Sequence, residues 1–260
     1  MRIAMIQMDI AAGEKERNIQ HGIDLMERAA GSADVLVLPE MWTTGYDFRH
    51  LDEQVTRPGD DLMQRLSSFA RYHGITLIPG SLPMSFEDGI YNTAMIIGPD
   101  GRQKACYKKV HLFSHLIESR LMKAGSESVC TPIRGVETGL AICYDLRFPE
   151  LFRTLTHHGA TLIILPASWP MERIYHWVIL NQARAIENEI FMCSVNAVGM
   201  YRGVHLYGNS MFVSPNGTIL VHGDEKENIY YADYDGDDVQ RQRTDLAVWS
   251  DFRENIPVMK

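Results

Sequence analysis

The sequence predicts an α/β protein built from two β-sheets, each covered by helices on its outer face. Strand-like and helix-like segments alternate in both halves of the chain, and two short segments, Val35–Leu38 and Leu162–Leu165, are apolar at every position. Such segments are typical of strands that are buried on both sides. Turn sequences rich in Gly, Pro and Asn join other strands into hairpins, and this mixture of helix-covered strands and hairpins indicates two sheets.

The first half of the chain predicts a β-α-β-α-β order followed by a hairpin. We expect a strand at Ile3–Met8, a helix at 14–30, the apolar strand 35–38, a helix at 60–73 and a strand at 75–79. The strand-like segments 91–97 and 102–110 lie on either side of Gly98-Pro99-Asp100-Gly101, a strong turn signal that predicts the hairpin.

The second half repeats this alternation and ends in further hairpins. We expect a strand at Gly139–Cys143, a helix at Pro149–His158, the strand 162–165, a helix at 172–189 and strands at 190–195, 210–213, 219–222 and 229–234. No linker-like stretch or block of charge divides the chain, so residues 1–260 are expected to form a single domain.

The charge balance argues against nucleic acid and membranes as partners. The chain has 25 Lys and Arg residues against 33 Asp and Glu residues, a formal net charge of -8, which repels phosphate backbones and anionic lipid surfaces. The N-terminal segment has no signal-peptide core, and no apolar run approaches the length of a membrane span. We therefore expect a soluble cytoplasmic protein.

The four cysteines form no C-x-x-C pair, so neither a zinc ribbon nor a thioredoxin-type motif is predicted. His111 and His115 are close in sequence, but no carboxylate stands at metal-ligand spacing and HExxH is absent, so we expect no metal. A serine nucleophile at Ser210 is also disfavoured, because its segment lacks the closing glycine of a nucleophile elbow.

Three chemically capable residues stand at the carboxyl ends of predicted strands. Glu40 follows Val-Leu-Val-Leu-Pro, Lys109 follows Lys-Ala-Cys-Tyr-Lys, and Cys143 follows Gly-Leu-Ala-Ile. Ligands of α/β sheets bind in the crevice outside these strand ends, so the three side chains can converge on one site. A thiol, a base and a cation are the groups that nucleophilic acyl transfer needs.

Three segments carry a family resemblance: LPEMWTTGY at 38–46, YKKVHLF at 107–113 and ICYDLRFPEL at 142–151. In composition, order and spacing they resemble the signature segments of the nitrilase superfamily, the carbon–nitrogen hydrolases. The resemblance implies a four-layer αββα sandwich that pairs as αββα–αββα in a homodimer, with the tail 241–260 at the subunit interface. It also implies a catalytic triad of Glu40, Lys109 and Cys143 and no cofactor.

Two further site residues depend on this resemblance. The family pattern places the working lysine two residues before the histidine of the HLF segment, which selects Lys109 over Lys108. The family also carries a second glutamate in a segment like F-x-E-S, which identifies Glu118 although Leu116 replaces the expected aromatic residue. A smaller departure is Asn209, which stands where the family often has a histidine. The implied reaction is amide hydrolysis through a Cys143 thioester, with the oxyanion held by Lys109 and the backbone N–H of Tyr144.

The substrate must be inferred from the rim of the pocket. The segments LPEMWTTGYD at 38–47 and SWPMERIYHW at 168–177 are similar to the bacterial omega-amidases, which act on 2-oxoglutaramate and 2-oxosuccinamate. A guanidinium suits the carboxylate of such a substrate, and Arg173 and Arg147 are the candidates. Arg147 could instead pair with Glu150 or Glu40. Trp169 and Tyr46 are expected to form walls of the pocket.

Other functions remain open at this point. A deaminated-glutathione amidase or another small aliphatic amidase would use the same triad, and so would a nitrile hydrolase. A non-catalytic scaffold with the same fold is disfavoured by the complete triad together with Glu118. The expected partners are therefore a small amide, water and a second copy of the chain. Cys106, Cys130 and Cys193 are interpreted as structural thiols.

Overall fold

Two stacked β-sheets form the centre of the protein in a computed structural model, which describes residues 1–114, 118–201, 203–246 and 248–253. The first sheet has the order β15-β1-β2-β3-β5-β4, with β6 also paired to β5. Its strands are β1 (Arg2–Gln7), β2 (Val35–Val37), β3 (Thr76–Ile78), β4 (Ser81–Phe86), β5 (Gly89–Ile97), β6 (Gln103–Lys108) and β15 (Asn228–Asp233).

The second sheet is also mixed and lies face to face with the first. Its order is β14-β13-β10-β9-β8-β7. Its strands are β7 (Val129–Ile133), β8 (Val136–Leu140), β9 (Leu162–Ala167), β10 (Phe191–Asn196), β13 (Met211–Val213) and β14 (Ile219–His222). A separate hairpin joins β11 (Val198–Tyr201) to β12 (Val204–Tyr207).

Helices cover the outer faces of both sheets. The long helices are α1 (Lys15–Ala30) and α3 (Asp61–His73) on the first sheet, and α5 (Pro149–His157) and α6 (Ile174–Asn188) on the second. Short helices are α2 (Leu51–Gln54), α4 (Glu118–Leu121) and α8 (Val248–Asp251), and α7 (Gly236–Asp245) precedes the last of these. None of the helices that the structure describes has the length and apolarity needed to cross a membrane.

Strand β1 shows how the sequence produces these layers. Successive side chains of a strand point to opposite faces. Ile3 and Met5 therefore pack in the core between the two sheets, whereas Ala4 and Ile6 pack in the core beneath α1 and α3. Because both faces of the strand are buried, every position from Ile3 to Gln7 has no measurable exposure. The prediction of an αββα sandwich is confirmed.

Several element boundaries differ from the predictions, and one difference affects the site. The strand predicted to reach Cys143 ends at Leu140, and Cys143 instead begins a 3₁₀ turn, Cys143–Arg147. The backbone of Cys143 has a positive φ of 44°, which an extended strand cannot accommodate. The sequence predictions also missed β4, β7 and the β11–β12 hairpin.

The described part of the C-terminal tail packs on its own subunit. The indole nitrogen of Trp249 donates to the backbone oxygen of Asn188 at 3.3 Å, and the Arg153 guanidinium lies over the Trp249 ring. These contacts join α8 to the C-terminal end of α6 and to α5. The expected interface role of 241–260 stays a prediction, and residues 254–260 lie outside the described residues.

Candidate active site

The three predicted catalytic side chains come together at one end of the stacked sheets. The Lys109 ammonium lies 2.8 Å from Glu40 Oε1, and the Tyr46 hydroxyl lies 2.7 Å from Glu40 Oε2 and 4.0 Å from Cys143 Sγ. Each residue follows a strand: Glu40 follows β2, Lys109 follows β6 and Cys143 follows β8. Strand ends from both sheets therefore supply one constellation, as the sequence predicts.

Glu40 is buried, and four donors surround its carboxylate. Oε1 accepts from Lys109 Nζ and from Asn92 Nδ2, each at 2.8 Å. Oε2 accepts from the Tyr46 hydroxyl at 2.7 Å and from the Ser168 backbone N–H at 3.1 Å. An ionised carboxylate offers about four acceptor positions, so this environment suits the charged form. Oε2 is on the side of the thiol, because Tyr46 reaches both atoms.

Lys109 is held between two carboxylates. Its ammonium contacts Glu40 Oε1 at 2.8 Å and Glu118 Oε1 at 3.0 Å, and only 1% of the side chain is exposed. Burial by itself lowers the pKa of a lysine, but the negative charges of Glu118 and Glu40 outweigh it, so the pKa of Lys109 lies well above its ordinary value. Lys109 is therefore a permanent cation in the site.

Glu118 lies at the start of α4 and makes no direct contact with the thiol among the hydrogen bonds of the described residues. Its carboxylate accepts from Lys109, from Asn92 at 3.0 Å and from the Phe113 backbone N–H at 2.8 Å. This arrangement is that of a group that positions Lys109. Leu116, the departure from the family segment, lies outside the described residues.

Asn92 is a site residue that sequence reasoning missed. It lies on β5, is fully buried, and donates from one amide nitrogen to both Glu40 and Glu118. An asparagine in a predicted strand carries no catalytic signal by itself. The available signal was its place in the strand paired with the one that leads to Lys109, since facing residues of neighbouring strands meet.

The turn that carries Cys143 is held by Asp145. Its buried carboxylate accepts from the backbone N–H of Ile142 and the hydroxyl of Tyr107 at one oxygen, and from the backbone and ring nitrogens of His111 at the other. The His111 ring also stacks on Phe148 at 3.7 Å. Asp145 thus joins the turn that carries Cys143 to the loop after Lys109.

The thiol of Cys143 is protonated in the resting protein. Burial raises its pKa, the charge of Glu40 raises it further, and Lys109 only partly offsets both effects, so the pKa lies well above the ordinary value. A thiol in this state reacts only when a neighbouring base removes its proton. Glu40 is the candidate for this base, because the Tyr46 hydroxyl contacts both its Oε2 and the Cys143 sulfur.

Cys143 opens into a cavity of about 640 Å³. Most of the wall is aromatic or aliphatic and includes Tyr46, Phe48, Phe113, Tyr144, Trp169, Tyr201, Val204 and Leu206. The β11–β12 hairpin supplies the last three of these residues. The predictions that Trp169 and Tyr46 line the pocket are confirmed by position, although the Tyr46 hydroxyl is directed to Glu40.

Three guanidinium groups line the same cavity: Arg49, Arg147 and Arg173. Arg147 is partly buried, with its guanidinium 4.7 Å from the centre of the Trp169 ring, whereas Arg49 and Arg173 are exposed. Within the described residues Arg147 forms no ion pair with Glu40 or Glu150, so the alternative pairing is wrong. Its neighbour is His176, at 3.4 Å. Arg49 was not predicted, because its segment has no recognisable pattern.

Within the residues that the structure describes, no group of three or more His, Cys, Asp or Glu side chains is arranged to hold a metal ion. The chemistry available at this site is that of a thiol beside a carboxylate, a buried ammonium and a cavity with cationic groups. These are the components of nucleophilic acyl transfer.

Residues 2–244 match the profile of the family described as carbon-nitrogen hydrolase. The chain belongs to the carbon-nitrogen hydrolase family. A relative named 2-oxoglutaramate amidase, from Bacillus subtilis strain 168, is 36% identical over 254 residues, which cover 98% of this chain and 98% of the relative. The prediction of a nitrilase-superfamily protein is confirmed, and the chain is an amide-hydrolysing enzyme.

Solved structures of other carbon-nitrogen hydrolases agree in fold. A superfamily protein from Xanthomonas campestris, with an arsenic adduct in its active site, has a TM-score of 0.92 and 28% identity, with 99% of each chain covered. A mutant amidase from Nesterenkonia sp. AN1, with acrylamide added to its active-site cysteine, has a TM-score of 0.81 and 29% identity, covering 95% of this chain and 98% of that chain.

Proposed function

We propose that this carbon-nitrogen hydrolase is an omega-amidase. It hydrolyses the terminal amide of a short 2-oxo acid, 2-oxoglutaramate or 2-oxosuccinamate, to the dicarboxylate and ammonia. The observation that carries the proposal is the presence of Cys143 and three guanidinium groups in one cavity. Such a cavity offers a nucleophile for the amide and cations for the carboxylate at the other end.

The acylation step follows from the two sides of Glu40. Oε2 accepts the proton of Cys143, and the sulfur attacks the amide carbon while the carbonyl electron pair moves to oxygen. The oxyanion is stabilised by the Lys109 ammonium and by the backbone N–H of Tyr144. As the intermediate collapses, the carbon–nitrogen bond breaks and the leaving nitrogen takes the proton from Glu40. Ammonia departs, and the acyl group remains on Cys143 as a thioester.

The deacylation step reverses these roles. Glu40 takes a proton from water, the resulting hydroxide adds to the thioester carbon, and the carbon–sulfur bond breaks. The proton on Glu40 then returns to the sulfur, which restores the resting thiol and releases the second carboxylate. Glu118 acts by holding Lys109 in place throughout, since its oxygens accept from Lys109 and Asn92.

The charge around the cavity supports a substrate that carries a carboxylate. Burial lowers the pKa of Arg147, and the positive charge of the neighbouring Arg173 lowers it further. A bound anion would relieve the repulsion between the two guanidinium groups. Arg147 stacks on Trp169 and is the better-positioned partner, whereas Arg173 and Arg49 are exposed at the mouth.

A panel of substrates tests the proposal. Ammonia release should be greatest for 2-oxoglutaramate or 2-oxosuccinamate, and lower for glutamine, an aliphatic amide, a nitrile and an N-carbamoyl amino acid. Cys143→Ala should abolish turnover with an unchanged circular dichroism spectrum. Undiminished turnover in that variant would overturn the assignment of the nucleophile, and a preference for the nitrile would overturn the reaction class.

Substitution of the arginines tests how the substrate is held. Arg147→Ala and Arg173→Ala should each raise KM for 2-oxoglutaramate by about tenfold or more, because each removes a charge-assisted hydrogen bond. Arg28→Ala, at an exposed position of α1, serves as the control and should leave KM unchanged. If KM is unchanged in both site variants and raised in Arg49→Ala, that arginine binds the carboxylate.

The size of the cavity favours one alternative. A volume of about 640 Å³ with aromatic walls exceeds what a five-carbon acid fills. A deaminated-glutathione amidase or another amidase for longer aliphatic amides would use that space. Higher kcat/KM for such an amide than for 2-oxoglutaramate would decide in favour of this alternative.

The homodimer is a second part of the proposal. Helix α6 exposes three large apolar side chains, Tyr175, Ile179 and Ile186, on the outer face of the second sheet. Pairing through this face would bury them and produce the αββα–αββα arrangement. Sedimentation of a monomer at micromolar concentration would contradict it.

A nucleophilic thiol also suits the reducing cytoplasm, where we expect the enzyme to act.

A further inference from the structure

We infer that Asn92 is a positioning residue of the active site: its amide bridges Glu40 and Glu118 and keeps both carboxylates charged and oriented. The inference deepens the proposed function, since it assumes that Glu40 is the base for Cys143. It rests on the hydrogen bonds and burial of Asn92, which no signature segment contains.

Within the described part of the chain, the side-chain hydrogen bonds of Asn92 go to the two carboxylates of Glu40 and Glu118. Its Nδ2 donates to Glu40 Oε1 at 2.8 Å and to Glu118 Oε1 at 3.0 Å. These are the same two oxygens that Lys109 contacts, at 2.8 Å and 3.0 Å. Two donors therefore connect the same pair of acceptors, one of them charged and one neutral.

The orientation of this amide follows from electrostatics. If the amide were turned over, its oxygen would face two carboxylate oxygens, and three acceptors would repel one another. In the orientation with the nitrogen toward the carboxylates, Asn92 Oδ1 is buried and has no hydrogen-bond partner among the described residues. A buried amide that leaves its own oxygen unsatisfied is costly to stability. The two hydrogen bonds that Asn92 donates to Glu40 and Glu118 offset this cost.

The backbone places Asn92 beside Lys109. The Lys109 N–H donates to the Asn92 carbonyl oxygen at 2.8 Å, which continues the pairing of β5 with β6. Side chains of such facing residues lie on one face of the sheet. The next residue, Thr93, is also buried but points to the other face, and among the described residues its side-chain hydroxyl donates to the backbone oxygen of Tyr91. Thr93 is therefore a matched control on the same strand.

The bridge has two physical effects on Glu40. Glu40 and Glu118 repel each other as like charges, and one ammonium alone must compensate two carboxylates; the Asn92 dipole supplies further compensation. Asn92 and Lys109 together also occupy the acceptor positions of Oε1. The oxygen on the side of Cys143 is Oε2, because the Tyr46 hydroxyl, which donates to it at 2.7 Å, also lies 4.0 Å from the Cys143 sulfur.

The pH dependence of thiol reactivity provides a direct readout. The ionisable groups that face this bridge are Glu40, Glu118 and Lys109, with Tyr46 and Cys143 beyond Oε2. Removal of the amide donor destabilises the charged carboxylates, so the pair takes up a proton at higher pH. The low-pH side of the curve of Cys143 alkylation rate against pH, its acidic limb, should then move to higher pH. Loss of a purely structural residue would lower reactivity at every pH and leave the limb in place.

The experiment measures alkylation of Cys143 by iodoacetamide against pH, using intact mass, in the full chain and in three variants. Asn92→Leu removes the donor at similar volume, Asn92→Asp replaces it with a third carboxylate at the same shape, and Thr93→Val is the control. We expect the acidic limb to move up by about one to two pH units in Asn92→Leu and further in Asn92→Asp. In Thr93→Val it should stay in place.

Each outcome has a separate meaning because alkylation needs no knowledge of the substrate. A reactive wild-type thiol with an unshifted limb in both Asn92 variants would overturn the role of Asn92 and leave the proposed function intact. An unreactive wild-type thiol would overturn both. If Asn92→Leu fails to fold, Asn92→Asp carries the test, since it preserves the size of the side chain.

Discussion

Replacement of Asp145 by asparagine should destabilise this enzyme strongly, although the two side chains have the same shape. Asp145 accepts from two backbone N–H groups, of Ile142 and His111, one at each of its oxygens. An asparagine has only one oxygen. Whichever way the amide is turned, its nitrogen must face one of these N–H groups, and that buried donor is left unsatisfied.

The magnitude follows from counting these bonds. The unsatisfied backbone donor costs about 1–3 kcal/mol, and the remaining bonds lose their charge assistance at a cost of about 1 kcal/mol in total. We therefore expect a loss of about 3 kcal/mol in the free energy of unfolding. For a chain of this size that corresponds to a fall in Tm of about 6–12 °C. The Tyr107 hydroxyl can rotate to accept from the new amide, so its bond does not add to the loss.

Thermal unfolding followed by circular dichroism at one fixed protein concentration checks this value. Asp52→Asn, at an exposed position of α2, is the control and should change Tm very little. Because Asp145 also holds the turn of Cys143, the variant should alkylate more slowly at temperatures where it is folded. A change in Tm below about 2 °C in Asp145→Asn would refute the role of Asp145 in holding the nucleophile turn.

Two further predictions concern the other thiols and a glycine next to Glu40. Burial, with a contribution from Glu137, raises the pKa of Cys130 from 9.0 to about 11, so its thiolate fraction at neutral pH falls roughly a hundredfold. Burial also raises the pKa of Cys106 and of Cys193, and the pKa of Cys143 is raised too, but Cys143 is the thiol for which we propose a neighbouring base, Glu40. Native protein at neutral pH should therefore gain one carbamidomethyl group, at Cys143, and mass spectrometry showing Cys130 labelled first would contradict this. Gly80→Ala should lower Tm more than Gly59→Ala. Both glycines have a positive φ, so both substitutions strain the backbone. A Cβ at Gly80 would also lie 1.8 Å from the Pro39 carbonyl oxygen, whereas a Cβ at Gly59 meets no atom within 4 Å. Equal losses in the two variants would show that backbone strain alone decides the effect.

The arrangement of Glu40 explains how a single carboxylate can serve both steps of the proposed reaction. One of its oxygens is held by Lys109 and Asn92, and the other accepts from the Tyr46 hydroxyl, which also lies 4.0 Å from the Cys143 sulfur. When donors hold one oxygen of a carboxylate and the other oxygen exchanges the proton, the carboxylate keeps its geometry while its charge changes. The second glutamate, Glu118, supports this arrangement through Lys109 without any need to touch the substrate.

Local pattern was sufficient for much of the fold and for the triad. The apolar strands 35–38 and 162–165 and the amphipathic helices are visible in hydrophobic periodicity, since burial on one or both faces constrains every second or every third to fourth residue. Glu40, Lys109 and Cys143 each stand in a segment whose order of residues is diagnostic of the family. The sequence was less informative where backbone geometry departs from a regular element, as at Cys143 with its positive φ.

Residues that act through distant partners could be identified only in three dimensions. Asn92 stands in no signature segment, and it meets Glu40 and Glu118 through the pairing of strands within the first sheet. Asp145 stands in the signature segment 142–151, but its bond to His111 forms only where the two sheets meet. Arg147 lies beside Trp169 instead of Glu40 or Glu150 because the turn after Cys143 directs it into the cavity. The sequence by itself determined the layers and the choice of Glu40, Lys109 and Cys143 as the predicted catalytic residues, because periodicity and signature segments are local properties. The tertiary structure decided which oxygen of Glu40 is on the side of the thiol and which groups hold the other, because hydrogen-bond partners far apart in the chain meet only after the strands have paired and the sheets have stacked.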